Sequence, residues 1–195
     1  PYIPTVSYYT APPIHRLVDD AIEFAKIYDI DGYRVDAVKH IPRSVHGNFQ
    51  ELVKREIEHN NHWDQHDFYT VGETFSGDYG LLNSYVGEHM LDGQFDFSLY
   101  WQILQAFARN EADLISVEQS YQTSKSFYGD ALMSQFLGNH DVERFISHAA
   151  GQVGSMYGDG LCPEGYWRGP AQPIDDATPY KKLMLAWTWL LTHEG

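Results

Sequence analysis

The first third of the chain carries apolar residues at helical spacing, then in alternation, then at helical spacing again. The first helical run opens at Pro12 and Pro13, where proline suits a first turn, and is expected to end near Tyr28. A strand over residues 33–38 follows, and a second, charge-rich helix is predicted around residues 49–57. The apolar positions that predict the first helix are Ile14, Leu17, Val18, Ala21, Ile22 and Ala25.

The rest of the chain repeats this alternation. Short apolar runs predict strands over residues 68–71, 94–97 and 132–137. Helices are predicted over residues 79–86, 99–108, 114–121 and 180–192. A stretch rich in Gly and Pro, without periodicity, predicts one long loop near residues 150–175. Strands that alternate with helices imply a parallel α/β sheet, either open or closed into a barrel.

Composition and charge narrow the classes of partner. A chain of 195 residues is long enough for one domain with a sizeable core. Its formal net charge of −14, from 27 acidic and 13 basic residues, argues against binding nucleic acid or an anionic membrane surface. Aromatic residues make up 15% of the chain, and such amphipathic rings suit the lining of a polar ligand cleft. Cys162 is the single cysteine, so an intrachain disulfide is impossible.

The stretch GYRVDAVKH, residues 32–40, places charged side chains within a predicted strand. Because a strand alternates its faces, Arg34 and Asp36 share one side while Tyr33 and Val35 take the other. Burying both charges is costly unless they pair or serve a purpose. Arg34 would hold Asp36 ionised, as a carboxylate nucleophile requires, and a structural ion pair explains the same two residues equally well.

An acidic residue lies at or soon after the C-terminal end of each of three predicted strands, namely Asp36, Glu73 and Asp141. In a parallel α/β architecture these strand ends meet on one face, where active sites lie. Together with Arg34 and His140, the three acids are the parts for retaining glycoside hydrolysis. In that reaction one carboxylate attacks the anomeric carbon, an acid protonates the leaving oxygen, and a further carboxylate could stabilise the positively charged transition state.

Each of these residues also has a simpler interpretation. Glu73 could open a helix or ligate a metal, and His140 with Asp141 could form a turn. Lys39 and His40 could be a solvated strand end. Metal-assisted hydrolysis is the main mechanistic alternative, because Asp, Glu and His side chains ligate cations. The chain contains no compact His-x-His or His-Glu-x-x-His pair, which disfavours it.

Three segments resemble the alpha-amylase family, glycoside hydrolase family 13. GYRVDAVKH is similar to the family's segment at barrel strand four, VGETF to the one at strand five, and FLGNHDVERF to the one at strand seven. The resemblance implies that residues 1–195 form part of a (β/α)8 TIM barrel, from roughly the third helix through the seventh. The family's segment at strand three has no counterpart, so the chain is expected to begin just before the third helix.

The resemblance also implies a role for each matching residue. Asp36 would be the nucleophile, Glu73 the general acid/base and Asp141 the stabiliser of the transition state. Arg34 would orient Asp36, and His140 would bind hydroxyls of the sugar being cleaved.

Further contacts follow from the same resemblance. Lys39 and His40 would contact the leaving-group side of the substrate, and the backbone carbonyl of His40 would be one ligand of a structural calcium ion. The other usual calcium ligands would lie outside this chain. Rings such as Tyr79 or Trp167 could stack on sugars.

The implied activity is retaining hydrolysis of α-1,4-glucosidic bonds in starch, maltooligosaccharides or related α-glucans. An α-glucan transglycosylase of the same family and a non-catalytic carbohydrate-binding homologue are the alternatives. The remainder of the barrel would come from a longer parent chain, and the fragment alone is expected to be inactive.

Overall fold

The computed structural model describes residues 12–59, 67–154 and 172–194. The chain divides into two compact units. The first unit is made of Pro1–Phe75, Gly80–Phe95 and Asp130–Met133, and the second of Ser76–Tyr79, Asp96–Gly129 and Ser134–Gly195. No helix among the described residues is both long and apolar enough to cross a membrane.

A parallel sheet of three strands forms the centre of the first unit. Its strands are β1 (Gly32–Val35), β2 (Tyr69–Gly72) and β3 (Gly93–Gln94), in the order β1-β2-β3. Both neighbouring pairs run parallel, with Val35 opposite Gly72. The carboxyl ends of β1 and β2 are therefore in register, and the residues that follow the two strands emerge side by side.

Two helices cover the first unit's apolar core. Helix α1 (Pro12–Tyr28) and helix α2 (Arg43–Val53), which continues as a π-helical turn over Lys54–Glu58, pack against each other. The Tyr33 ring of β1 packs edge-on against Phe68 at a centroid distance of 5.5 Å. The buried residues of this core are Val18, Ile22, Ala25, Phe49, Val53 and Phe68.

The backbone turns sharply after β1. Ala37 adopts the left-handed conformation, with φ 48° and ψ 40°, and a short 3₁₀ turn follows over Val38–His40. The Val38 N–H donates to the Glu73 carbonyl at 2.9 Å, and the Glu73 N–H donates to the Val35 carbonyl at 2.8 Å. The turn is thus bonded to the residue that follows β2.

The second unit is helical. Its helices are α4 (Phe97–Ile103), which continues as a π-helical turn over Leu104–Arg109, α5 (Leu114–Tyr128), α6 (Phe145–Ala149) and α7 (Ala177–Thr192). A short helix α3 (Tyr79–Asn83) lies where the chain passes from the second unit to the first.

Carboxylates begin the longer helices of this unit. Asp96 and Asp113 each accept the backbone N–H of the residue three positions ahead, and Asp176 accepts that of Thr178. Such caps satisfy N–H groups that the first helical turn leaves unbonded. The ring of Phe136, which follows α5 in the chain, stacks on the Tyr100 ring of α4 at a centroid distance of 4.7 Å.

The helix predicted from Pro12 to Tyr28 is confirmed at both ends. Two strand predictions are wrong in extent. The strand expected over 33–38 ends at Val35, because Ala37 leaves the extended conformation, and the strand expected over 94–97 ends at Gln94. Asp96 caps α4 at that point, so residues 96–97 start a helix instead.

Two further predictions differ from the structure. Residues 132–137 are described and form no strand, although the Ser134 carbonyl accepts the Asp96 N–H at 3.0 Å. Helix α5 continues to Tyr128, beyond the predicted end at 121. Most of the loop predicted near 150–175 lies outside the described residues.

Candidate active site

Arg34 and Asp36 form an ion pair at the end of β1. The Arg34 guanidinium donates to Asp36 Oδ1 at 2.6 Å. Asp36 lies in the turn beyond the strand, and 69% of its side chain is exposed, against 36% for Arg34. The expected pairing of Arg34 with Asp36 is present, although Asp36 lies beyond the strand whose alternation predicted it. One oxygen of the Asp36 carboxylate is held by Arg34, and the group remains accessible to a ligand.

Glu73 follows β2 directly and is buried, with 7% of its surface exposed. Its carboxylate Oε2 accepts the Ala37 N–H at 3.3 Å. Its own backbone N–H donates to the Val35 carbonyl before the turn after β1, and its carbonyl accepts the Val38 N–H within that turn. Ala37, in the left-handed conformation, thus directs its own backbone N–H at the Glu73 carboxylate. The turn links the segment that carries Asp36 to the segment that carries Glu73.

Lys39 fastens the same turn to the loop after β2. Its ammonium donates to the Phe75 carbonyl at 2.8 Å while the side chain stays exposed to solvent. His40 ends the 3₁₀ turn and is exposed. Beneath the turn, His46 of α2 is buried and places its Nε2 3.1 Å from the Val38 carbonyl; burial lowers the pKa of His46.

Phe95 contacts Arg34, and the sequence does not predict this contact. The residue follows β3, and its N–H donates to the Gly72 carbonyl at 3.0 Å. The Arg34 guanidinium lies over the Phe95 ring, 5.8 Å from the ring centroid. Nothing in the local pattern signals this contact, because it depends on the pairing of β3 with β2.

His140 and Asp141 belong to the second unit. The His140 Nε2 lies 3.3 Å from Asp141 Oδ2, and the side chain of Asn139 accepts the Asp141 N–H at 2.9 Å. The turn geometry expected for these residues is thus present. The structure brings Arg34, Asp36, Lys39, His40 and Glu73 together in the first unit and pairs His140 with Asp141 in the second.

Residues 7–158 match the family model of the alpha-amylase catalytic domain. The chain belongs to the alpha-amylase family. Its α/β fold is accordingly part of a (β/α)8 barrel, as the family resemblance implies, and the parallel strands β1 to β3 belong to that barrel.

Named members of the alpha-amylase family show how much of a full protein this chain represents. It is 31% identical over 131 residues to the beta/alpha-amylase of Paenibacillus polymyxa, covering 66% of this chain and 9% of that protein. It is 28% identical over 138 residues to the cyclomaltodextrin glucanotransferase of Geobacillus stearothermophilus, covering 69% of this chain and 18% of that protein.

A solved structure is similar over nearly the whole chain. The alpha-amylase of Geobacillus thermoleovorans, crystallised with acarbose, superposes with a TM-score of 0.74 at 29% identity, covering 97% of this chain and 36% of that one. The chain therefore spans well under half the length of each of these three proteins.

The family resemblance implies a calcium site near His40. Within the three described stretches, no group of three or more His, Cys, Asp and Glu side chains could hold a metal ion. The carbonyl of His40 stays the one ligand that the resemblance predicts within this chain, so a calcium ion bound there would take its other ligands from the rest of the full-length protein.

Tyr79 and Trp167 are the two aromatic residues predicted as candidates for stacking on sugar rings. The Tyr79 ring stacks on Phe127 at 5.3 Å, and its hydroxyl lies 2.9 Å from the Ser120 hydroxyl, so one face of the ring is already occupied. Trp167 lies outside the described residues.

Proposed function

We propose that the full-length protein is a retaining glycoside hydrolase that cleaves α-1,4-glucosidic bonds in starch, maltooligosaccharides or related α-glucans. The observation that carries the proposal is the turn after β1. It presents Asp36, paired with Arg34, and donates a backbone N–H to the carboxylate of Glu73. The similarity to an alpha-amylase crystallised with acarbose supports an α-glucan substrate.

The two acids have different surroundings, which suits two roles. Asp36 is exposed and paired with a cation, as a carboxylate nucleophile requires, so it attacks the anomeric carbon and forms a glycosyl ester. Glu73 is buried, and it donates its proton to the departing glycosidic oxygen. Glu73, now a carboxylate, then takes a proton from water as the water cleaves the ester and regenerates Asp36.

The remaining roles follow from the family resemblance. Asp141 is proposed as the acid that stabilises the positively charged transition state, and His140 as a ligand of the sugar hydroxyls. Lys39 and His40 are proposed to contact the leaving-group side. Calcium is proposed as a structural ion with the His40 carbonyl as one ligand, and no step of the reaction depends on it.

Substitution of the two acids in the full-length protein tests the assignment. Glu73→Gln should slow cleavage of maltooligosaccharides at least ~10²-fold, because their leaving group needs a proton. Cleavage of an α-glucosyl fluoride should suffer far less, since fluoride leaves without protonation. Asp36→Asn should abolish turnover of both substrates, because no proton donor replaces the covalent bond.

Azide provides an independent test. In Glu73→Gln, added azide should speed release of the trapped glucosyl-enzyme, because a small anion attacks without a general base. Asp31→Asn and Glu88→Gln change exposed acids of the same unit and should leave both rates unchanged. Equal losses on both substrates for the two acid variants, without an azide response and with intact folding, would show the assignment to be wrong.

A second candidate function is transglycosylation, favoured by the similarity to a cyclomaltodextrin glucanotransferase. There a sugar hydroxyl, rather than water, cleaves the glycosyl ester, and both reactions use the same acids. Products longer than the maltooligosaccharide supplied, or cyclic products, would identify a transferase, and only shorter products a hydrolase. Binding of α-glucan without any turnover would indicate a non-catalytic homologue.

A further inference from the structure

We infer that Phe95 is a positioning residue that holds Arg34, and through Arg34 the carboxylate of Asp36. The inference rests on the proposed function, since it assigns Phe95 to the same nucleophile. The link between Phe95 and Asp36 is the Arg34 guanidinium, which donates to the Asp36 carboxylate at 2.6 Å and lies 5.8 Å from the centroid of the Phe95 ring.

The Phe95 ring is a fixed platform. It is half-buried, and its backbone is bonded to the Gly72 carbonyl, so it keeps its place at the end of β3 relative to β2. β2 in turn is paired with β1, which carries Arg34. The position of the ring relative to the guanidinium is therefore set by the sheet and not by a loop.

A flexible arginine needs this second contact. Arg34 has 36% of its side chain exposed, and one hydrogen bond to an exposed aspartate leaves other rotamers open to it. The negative face of an aromatic ring attracts a guanidinium and favours the rotamer that lies over it. Removing the ring should let the guanidinium move, and Asp36 would then lose the fixed orientation that attack on the anomeric carbon needs.

Three variants of the full-length protein test the inference. Phe95→Leu keeps an apolar side chain and removes the aromatic face. We expect kcat/KM to fall about threefold to tenfold, the range that a part-exposed cation–π contact supports, with the loss in kcat and KM little changed. Phe95→Trp and Phe95→Tyr keep an aromatic face and should restore most of the rate. Phe24→Leu, on the exposed part of α1, is the matched control and should leave the rate unchanged.

The choice of substrate separates the nucleophile from the acid. Because Phe95 acts through Arg34 and Asp36, the loss should be equal for maltooligosaccharides and for an α-glucosyl fluoride, which needs no proton. A loss confined to maltooligosaccharides would overturn the inference and assign Phe95 to Glu73, by way of the Gly72 carbonyl.

A double variant separates positioning from packing. In an Arg34→Met background, Phe95→Leu should cost less than about twofold more, because the partner of the ring is already gone. Additive losses would overturn the inference and make Phe95 a packing residue. If Phe95→Leu does not fold, the same cycle with Phe95→Met decides in its place.

Failure of this inference is distinct from failure of the proposed function. An unchanged rate for Phe95→Leu beside an inactive Asp36→Asn would overturn the role of Phe95 alone. An active Asp36→Asn would overturn the proposed function, and with it the role of Phe95.

Discussion

At the scale of single residues, Ala37 adopts an energetically unfavourable backbone conformation in the turn after β1. A residue other than glycine in the left-handed region is destabilised by about 1 kcal/mol. Ala37 lies there with φ 48°, between the proposed nucleophile and the residue bonded to the Glu73 carbonyl. In this conformation the Ala37 backbone N–H donates to the Glu73 carboxylate.

We therefore expect Ala37→Gly to raise the free energy of unfolding by up to about 1 kcal/mol, because glycine adopts this conformation without a steric cost. Ala37→Val should lower it by at least as much, since a β-branched side chain fits the region poorly. The matched control, Ala21→Gly in the middle of α1, should lower it by roughly 1 kcal/mol. Urea unfolding of the full-length protein measures all three, and a less stable Ala37→Gly would contradict the argument.

At the scale of elements, helix α2 supports the turn through a buried histidine. His46 is 3% exposed, its Nε2 faces the Val38 carbonyl, and its ring meets Tyr85 edge-on at 5.9 Å. Burial lowers the pKa of His46 from its ordinary value of 6.5, because the charged ring loses hydration that the single carbonyl does not replace.

This lowered pKa predicts the direction of a pH effect. As the pH falls through 6.5, the unfolded chain takes up a proton at His46 before the folded chain does. The stability that the neutral ring contributes is therefore complete above 6.5 and is lost as the pH falls towards the folded pKa. His46→Gln should flatten the decrease in unfolding free energy between pH 7.5 and pH 5, by less than about 1.4 kcal/mol per pH unit.

The exposed His15 of α1 provides the matched control. His15→Gln should leave the slope of unfolding free energy against pH as it is in the parent protein. An unaltered slope in His46→Gln would show that the buried ring does not couple folding to protonation.

The elements also show what could be predicted from the sequence. Helical spacing predicted α1 correctly at both ends, because its apolar stripe faces a core built from the first unit's own residues. The ends of the strands could not be predicted. Each depends on one backbone event, the left-handed Ala37 after β1 and the cap formed by Asp96 after β3, and apolar alternation continues past both.

Some contacts of the candidate site could likewise be predicted from the sequence, and others could not. Strand alternation predicted that Arg34 and Asp36 would meet, and they do, although the strand ends at Val35 and Asp36 reaches Arg34 from the turn. The contacts of Lys39 with the Phe75 carbonyl and of Arg34 with the Phe95 ring could not be predicted. Both join segments that only the pairing of neighbouring strands brings together.

At the scale of the whole molecule, two helices expose large apolar side chains. Leu17 and Ile27 of α1 are 66% and 68% exposed, and Met184 and Leu191 of α7 are 68% and 74% exposed. Apolar faces of this kind favour association when nothing covers them. The net charge of −14 opposes association without removing those faces.

We expect the 195-residue chain, expressed on its own, to be inactive on maltooligosaccharides and to self-associate as its concentration rises. Light scattering measures the association. A variant carrying Leu17→Glu and Ile27→Lys should associate less, because it places charge on the exposed face of α1 and leaves the net charge unchanged. A monomeric and fully active preparation of the parent chain would contradict this expectation.

The hydrogen bond between the turn and Glu73 also has a consequence for synthesis on the ribosome. Its two residues, Ala37 and Glu73, are 36 positions apart. At about 5–20 residues per second, the acid is added roughly 2–7 s after the turn that will hold it. During that interval the amide groups of Ala37 and Val38 lack the Glu73 oxygens to which they donate in the folded protein. A polypeptide released by premature termination in that interval would carry the nucleophile segment with nothing for its turn to fold against.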